Sequence, residues 1–361
     1  MKVYQCTHCG QGVYFENTHC QACGSALGYV PEMDAMVAFD TPRADGLWPP
    51  LGEDGEWRPC DNYVGHQTCN WMVAADEAGG LCASCRHTEV LPPLERPGMI
   101  AAWARIEGAK RRMLHTLDRL ALAHPNLAED PDGGLRFHFL TQKATPHKVL
   151  TGHDTGLITL SVEEAEDATR EARRTALGEP YRTLLGHFRH EIGHFYWDRL
   201  VAPGPWLAPF RELFGDERAD YALALKRYYD NGPAEDWSSR FVSAYASSHP
   251  WEDWAETWAH YLHIIDGLET AQAWGVCLAS SPHNPADPAQ PQDGEAFIGR
   301  LRGDWLPLSR FLNSMNRSLG HPDAYPFVLA EPVVGKLQFV HRLCRAAGDL
   351  AWTSWPPPDP A

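Results

Sequence analysis

LLGHFRHEIGHFYWDRL, residues 184–200, is the stretch around which the rest of the chain is organised, and it carries His190, Glu191 and His194 in the order H-E-x-x-H. At about 100° per residue on a helix, His187, His190, Glu191, His194 and Asp198 share one arc, with Leu185, Phe188, Ile192, Phe195 and Tyr196 opposite. The pattern predicts an amphipathic helix whose apolar side enters a core and whose other side is rich in metal ligands. Two imidazoles at i and i+4 can hold one zinc ion from a single helix, while the glutamate between them reaches water at the metal rather than the metal itself. Gly193 agrees with this, because a glycine inside a helix costs about 1 kcal/mol relative to alanine and marks a close backbone approach.

A catalytic zinc takes a third protein ligand and keeps one position for water. Continuation to His-x-x-Gly-x-x-His is excluded, since position 197 is Trp and position 200 is Leu. The Gly-Thr-x-Asp pattern is also missing. The remaining segment is 243–265, SAYASSHPWEDWAETWAHYLHII. Glu256, Ala259, His260 and His263 fall on one arc with Glu252, and Trp254, Trp258, Tyr261 and Ile265 fall opposite, with Pro250 suited to a helix start. Either Glu252 or Glu256 can ligate zinc, the other accepting the free ring N–H of a ligating histidine. His260 and His263 are further candidates.

Toward the N-terminus, Cys6-x-x-Cys9 and Cys20-x-x-Cys23 have the spacing of one tetrahedral zinc in a ribbon. Cys60, Cys69 and Cys82-x-x-Cys85 predict a second zinc, with His66 able to replace one cysteine. Polar segments this short bury too little surface to fold alone, so metal supplies much of their stability. The ribbons are either purely structural or recognise a protein partner or the substrate. Cys277 and Cys344 stand apart and read as buried thiols.

Residues 41–56 read as loop, and LPPLERP at 91–97 as a boundary. The expected division is 1–95 for the zinc ribbons, 96–354 for the larger domain and 355–361 for a Pro-rich tail. In the larger domain the pattern predicts a helix over 100–123 and strands over 135–140 and 156–161. A capping box at Ser161-x-x-Glu164 opens a helix to Leu177. Residues 216–229 predict a helix capped by Asp216, with Asp220 either on its solvated face or orienting a ligand. A Pro-rich loop over 280–294 separates further helical patterns at 296–316 and 333–351. The fold class is α+β, with zinc-ribbon modules before a mainly helical domain carrying a small sheet.

The chain has 361 residues, 44% of them hydrophobic, enough for a sizeable core and more than one domain. Its 47 acidic against 31 basic residues give a net charge of -16, which disfavours a phosphate-backbone partner. Lys110, Arg111 and Arg112, and likewise Arg173 and Arg174, read as solvated helix faces. With neither a secretory leader nor a membrane-length apolar run visible, a soluble cytoplasmic protein is expected, with no membrane partner.

Tyr245 to Trp258, with Tyr, Glu seven residues later, then x-x-Ala-Glu and an aromatic, resembles the matching segment of gluzincins such as anthrax lethal factor. The resemblance implies that Glu252 is the third ligand and Tyr245 the oxyanion donor, leaving Glu256 to a histidine ring N–H. More broadly, the C-x-x-C pairs, YRTLLGHFRHEIGHFYW and HPWEDWAETWAHYLH resemble a bacterial family of zinc-binding metallopeptidases with a zinc ribbon. This likeness spans nearly the whole chain. It implies a zincin-like domain, a zinc-dependent hydrolase of peptide or related amide bonds with Glu191 as base, a protein or peptide substrate, and a strand before the active helix that borders the cleft. An isopeptidase or amidase, and a non-catalytic zinc-dependent adaptor, are the competing readings.

Overall fold

The computed structural model describes residues 3–142, 151–276, 278 and 294–348. The Pro-rich loop, the tail and Cys277 lie outside the described residues.

Three short antiparallel hairpins build the N-terminal region. They pair β1 (Tyr4–Gln5) with β2 (Gly12–Val13), β3 (Ala26–Val30) with β4 (Ala35–Phe39), and β5 (Trp57–Pro59) with β6 (Met72–Ala74). Helix α1 (Asp61–His66) joins the last two strands. Their shared core is small, built on Phe15, Tyr29, Phe39 and Trp71 together with the buried cysteines.

A second and much larger core belongs to the helical domain. It contains the strands β7 (Thr88–Val90), β8 (Arg136–Leu140), β9 (Gly152–Asp154) and β10 (Leu157–Ser161), in the spatial order β7-β8-β10-β9. The pairs β7–β8 and β8–β10 are parallel, while β9 returns antiparallel on β10. The helices are α2 (Met99–Arg119), α3 (Asp167–Leu177), α4 (Leu184–Tyr196), α5 (Leu207–Phe214), α6 (Tyr221–Asn231), α7 (Pro250–Ala273), α8 (Gly294–Arg300), α9 (Leu306–Ser318) and α10 (Glu331–Gly348). None of the described helices is long and apolar enough to cross a membrane.

Four local expectations are corrected. The strand at 156–161, which the resemblance puts at the border of the cleft, is not a sheet edge. It is β10, held between β8 and β9, and the three-residue β9 is the edge that touches α4. Ser161 precedes only a short 3-10 helix, Val162–Ala165, and its side chain makes no capping bond, because the hydroxyl donates to Glu163 Oε2 at 2.9 Å. Glu164 is buried instead, taking Arg173 at 2.6 Å, Arg182 at 2.7 Å and His187 at 3.3 Å, which removes Arg173 from the solvated face expected of it. The helix predicted from Asp216 begins at Tyr221, with the Asp220 side chain accepting the Leu223 N–H. Asp216 pairs with Arg218.

The cluster Lys110–Arg112 is likewise not a solvated face. Lys110 and Glu107 form a fully buried ion pair at 2.8 Å, Arg111 donates to the Thr68 carbonyl at 2.7 Å, and Arg112 pairs with Glu16. That side of α2 is where the ribbon region docks, and Tyr4 OH lying 2.8 Å from His115 Nε2 extends the contact. A charged side chain survives burial only when paired in this way.

Helices α4 and α7 pack through Gly193. A Cβ there would stand 3.1 Å from both Ala255 Cα and Trp258 Cβ, and Trp254 Nε1 donates to the Gly193 carbonyl at 2.7 Å. Glycine is therefore the residue that lets the two site-bearing helices approach. Gly193→Ala is expected to force them apart and to destabilise the fold by about 1–3 kcal/mol in urea unfolding.

Candidate metal centre

Helix α4 starts at Thr183, whose hydroxyl accepts the Gly186 N–H at 2.9 Å. Phe188, Ile192 and Phe195 enter the core, and this fixes the rotation that sends His190, Glu191 and His194 toward α7. Helix α7 starts at Pro250 with His249 as its cap, so Glu252 falls in the first turn.

The two helices bring His190, His194 and Glu252 together, with one donor atom from each within 4.8 Å of the others. Glu252 Oε2 lies 3.0 Å from His190 Nε2 and 3.7 Å from His194 Nε2. Glu252 is 1% exposed, and neither its Oε2 nor His194 Nδ1 has a hydrogen-bond partner among the described residues. A buried carboxylate oxygen left facing two imidazoles is costly on its own and suits a bound cation. Two nitrogens and one oxygen match the donor set of an open zinc site.

Glu256 stands outside this triangle. Its Oε1 is 2.7 Å from His190 Nδ1, and its Oε2 accepts the Ser243 hydroxyl at 2.6 Å. The ring of His190 is thereby oriented with Nε2 toward Glu252. Tyr221 donates to Glu252 Oε1 at 2.6 Å, which leaves Oε2 as the free donor atom. The ring of Trp251 lies over His194, centroids 3.9 Å apart, and His153 stacks behind it at 6.3 Å. Tyr245 lies 6.0 Å from His190, ring to ring.

Electrostatics follow from burial and from these partners. Burial pushes Glu252 up, but His194 and His190 overcome it and hold the carboxyl well below its ordinary range. Burial pushes His190 down, and Glu252 and Glu256 reverse this. Glu191 is 6% exposed and is pushed up to about 7, chiefly by burial. Burial also raises the Tyr245 hydroxyl, so it stays a proton donor.

His260 and His263 are not part of this centre. The first is 2.7 Å from the Tyr325 hydroxyl and the second 2.6 Å from Arg189. Tyr221, Ser243, Trp251 and His153 escaped the sequence reading, because a lone tyrosine, serine or tryptophan carries no ligand spacing.

The cysteines form two further groups. Cys6, Cys9, Cys20 and Cys23 converge, as do Cys60, Cys69, Cys82 and Cys85. Sulfur separations of 3.8 Å (Cys6 to Cys23), 3.6 Å (Cys9 to Cys20) and 3.7 Å (Cys69 to Cys82) fit four thiolates on a zinc ion. Bonds of about 2.3 Å in a tetrahedron set the sulfurs about 3.8 Å apart. The second group is wholly buried, and the first has Cys9 and Cys23 exposed. His66 does not replace a cysteine, as it is exposed and sits against Trp103.

Residues 3–96 match a zinc-ribbon domain. The chain is 44% identical over 342 residues to uncharacterized proteins of Mycobacterium bovis and of two strains of Mycobacterium tuberculosis, covering 94% of this chain and 94% of each relative. No solved structure matches the chain. Residues 99–343, which include both site-bearing helices, match the family described as "Putative zinc-binding metallo-peptidase", and the chain belongs to that family.

Proposed function

We propose that the protein is a zinc-dependent hydrolase of peptide or related amide bonds, working through H-E-x-x-H chemistry with a glutamate as third ligand. The observation that carries this reading is the convergence of His190, His194 and Glu252 beside the buried carboxyl of Glu191, which stands on the same face of α4. A purely structural site has no use for a further, uncommitted acid in that position.

His190, His194 and Glu252 hold the catalytic zinc, which when bound polarises the scissile carbonyl and makes water a nucleophile near neutral pH. Glu191, whose buried carboxyl shares a face of α4 with the ligands, takes the proton during attack and returns it to the departing amine. Tyr245 donates its hydroxyl to the developing oxyanion, and losing one such donor costs about 3–4 kcal/mol in the barrier. Glu256 and Tyr221 do not touch the substrate; they aim His190 and Glu252. The two cysteine groups hold structural zinc, so the full complement is three ions.

Metal analysis tests the ligand set. Glu252→Ala is expected to lose one zinc per chain, whereas Glu256→Ala keeps it with an affinity weakened about 10–100-fold in chelator competition. The reverse order would transfer the ligand role to Glu256. N-terminal labelling of a proteome incubated with the wild-type protein tests the activity. A Glu252→Ala sample that produces the same new termini sinks the proposal.

A further inference from the structure

The second cysteine group is not enclosed by the ribbon region alone. Cys85 opens a short 3-10 turn, Cys85–His87, and Thr88 then begins β7, which pairs with β8 in the sheet of the helical domain. The Thr88 hydroxyl donates to Glu107 Oε1 of α2 at 2.8 Å. From the same helix, Arg111 donates to the carbonyl of Thr68, the residue before Cys69, at 2.7 Å. The helical domain thus holds the chain next to two of the four cysteines.

Arg111 is 6% exposed, and its Nε has no hydrogen-bond partner. Burial works against its charge, and attraction to Cys69, Glu107, Cys85 and Cys82 more than restores it. Glu107 is already committed to Lys110 at 2.8 Å, so the sulfurs are the anions that Arg111 answers. All four cysteines of the group are buried. A zinc ion on four thiolates keeps a net charge of about -2, which is costly in a dry interior unless something offsets it. The N–H groups of Trp71, Cys82 and Cys85 each lie 3.4 Å from one of the sulfurs and supply part of the offset. Arg111 adds a full charge to those partial ones. The first group, with Cys9 and Cys23 exposed, meets water instead.

Packing does not close this seam by itself. A cavity of about 430 Å³ lies along it, with Thr68, Cys69, Gly108, Arg111 and Arg112 in its lining. Arg112 and Glu16 also join the two regions here, but both side chains are exposed, and such pairs contribute little.

We propose that the second cysteine group is a metal-dependent latch: Arg111 of α2 supplies the countercharge for its zinc, so that filling the group and docking the ribbon region on α2 are one event. By linkage, whatever weakens one weakens the other by the same factor. Helix α2 also packs on α4, and its Thr116 hydroxyl donates to Asp266 of α7 at 3.0 Å, which seats the latch against both site-bearing helices. It does not depend on the hydrolase reading.

The full-length zinc-loaded protein tests this under challenge with EDTA and N-ethylmaleimide. Peptide mapping follows alkylation of each cysteine, and hydrogen exchange follows the amides of residues 104–116. Arg111→Met is expected to speed alkylation of Cys60, Cys69, Cys82 and Cys85 by about tenfold or more, and exchange across 104–116 rises with it. Cys6, Cys9, Cys20 and Cys23 keep their wild-type rates. Arg111→Lys recovers part of the protection, and Arg112→Ala leaves it unchanged. In the wild type, emptying of the second group and loss of protection in 104–116 are expected at one common rate, a result that stands even if Arg111→Met does not fold. Wild-type alkylation of the second group in Arg111→Met, or equal acceleration of both groups, overturns the latch. So does a wild-type α2 that stays protected after the second group has emptied.

Discussion

Glu191→Gln is expected to leave the zinc content unchanged and to lower kcat on a verified substrate by about 10³-fold or more. The carboxyl is 6% exposed and lies beside the ligand set without belonging to it, so an amide of the same shape replaces it without opening a cavity or removing a ligand. What the amide cannot do is accept a proton at one point in the reaction and release it at another. A positioned acid or base contributes about 10²–10⁴-fold. In the proposed mechanism Glu191 serves in both attack and departure, so the upper part of that range applies. KM should change little, since the loss falls on the transition state. Metal content by elemental analysis and single-turnover rates with one peptide decide the matter together. Full zinc with wild-type turnover would show that another group carries the proton. Lost zinc would show that Glu191 helps to hold the metal.

Helical periodicity made this centre legible. The alternation of Phe188, Ile192 and Phe195 with His190, Glu191 and His194 fixes which side of α4 faces the core, and the Trp254–Trp258 pair does the same for α7. Gly193 announced the contact between them. What stayed hidden depends on tertiary approach. Tyr221 reaches Glu252 across 31 residues of chain, and no spacing rule encodes such a contact. Lys110 and Arg111 look like an ordinary solvated pair until the ribbon region is docked on α2, where Glu107 and the Thr68 carbonyl satisfy them. Ser161 and Glu164 have the spacing of a capping box, yet Arg173, Arg182 and His187 compete for the same carboxylate and win it. The edge strand β9, three residues long, is too short for alternation to register. His260 and His263 share an arc with Glu256, but Tyr325 and Arg189 occupy them.

Lys336→Ala is expected to destabilise the helical domain by about 3–5 kcal/mol, the usual result of stripping a buried charge of its partner. Asp253 follows Glu252 on α7 and is 0% exposed, and its Oδ2 lies 2.6 Å from the Lys336 ammonium on α10. The ammonium also donates to the Arg240 carbonyl at 3.0 Å and sits 4.4 Å from the Phe241 ring centre and 5.5 Å from that of Phe214. Burial already pushes the Asp253 carboxyl up to about 7 beside the ammonium, so removing Lys336 drives Asp253 to take up a proton and leaves a buried acid without its ion-pair partner. A domain of this kind has about 5–15 kcal/mol in total, so the loss is a large fraction of the whole. Lys336→Met with Asp253→Asn should recover at least half of the deficit, because it removes both charges at similar volume, and urea midpoints of the single and double variants give the coupling directly. If the single and double variants are equally unstable, the packing of the lysine stem, rather than the ion pair, is what holds α10 to α7. The pair also bears on the site. It fixes the rotation of α7 one residue from Glu252, the proposed third ligand, so any surviving Lys336→Ala protein is expected to bind zinc at the proposed site less tightly than wild type.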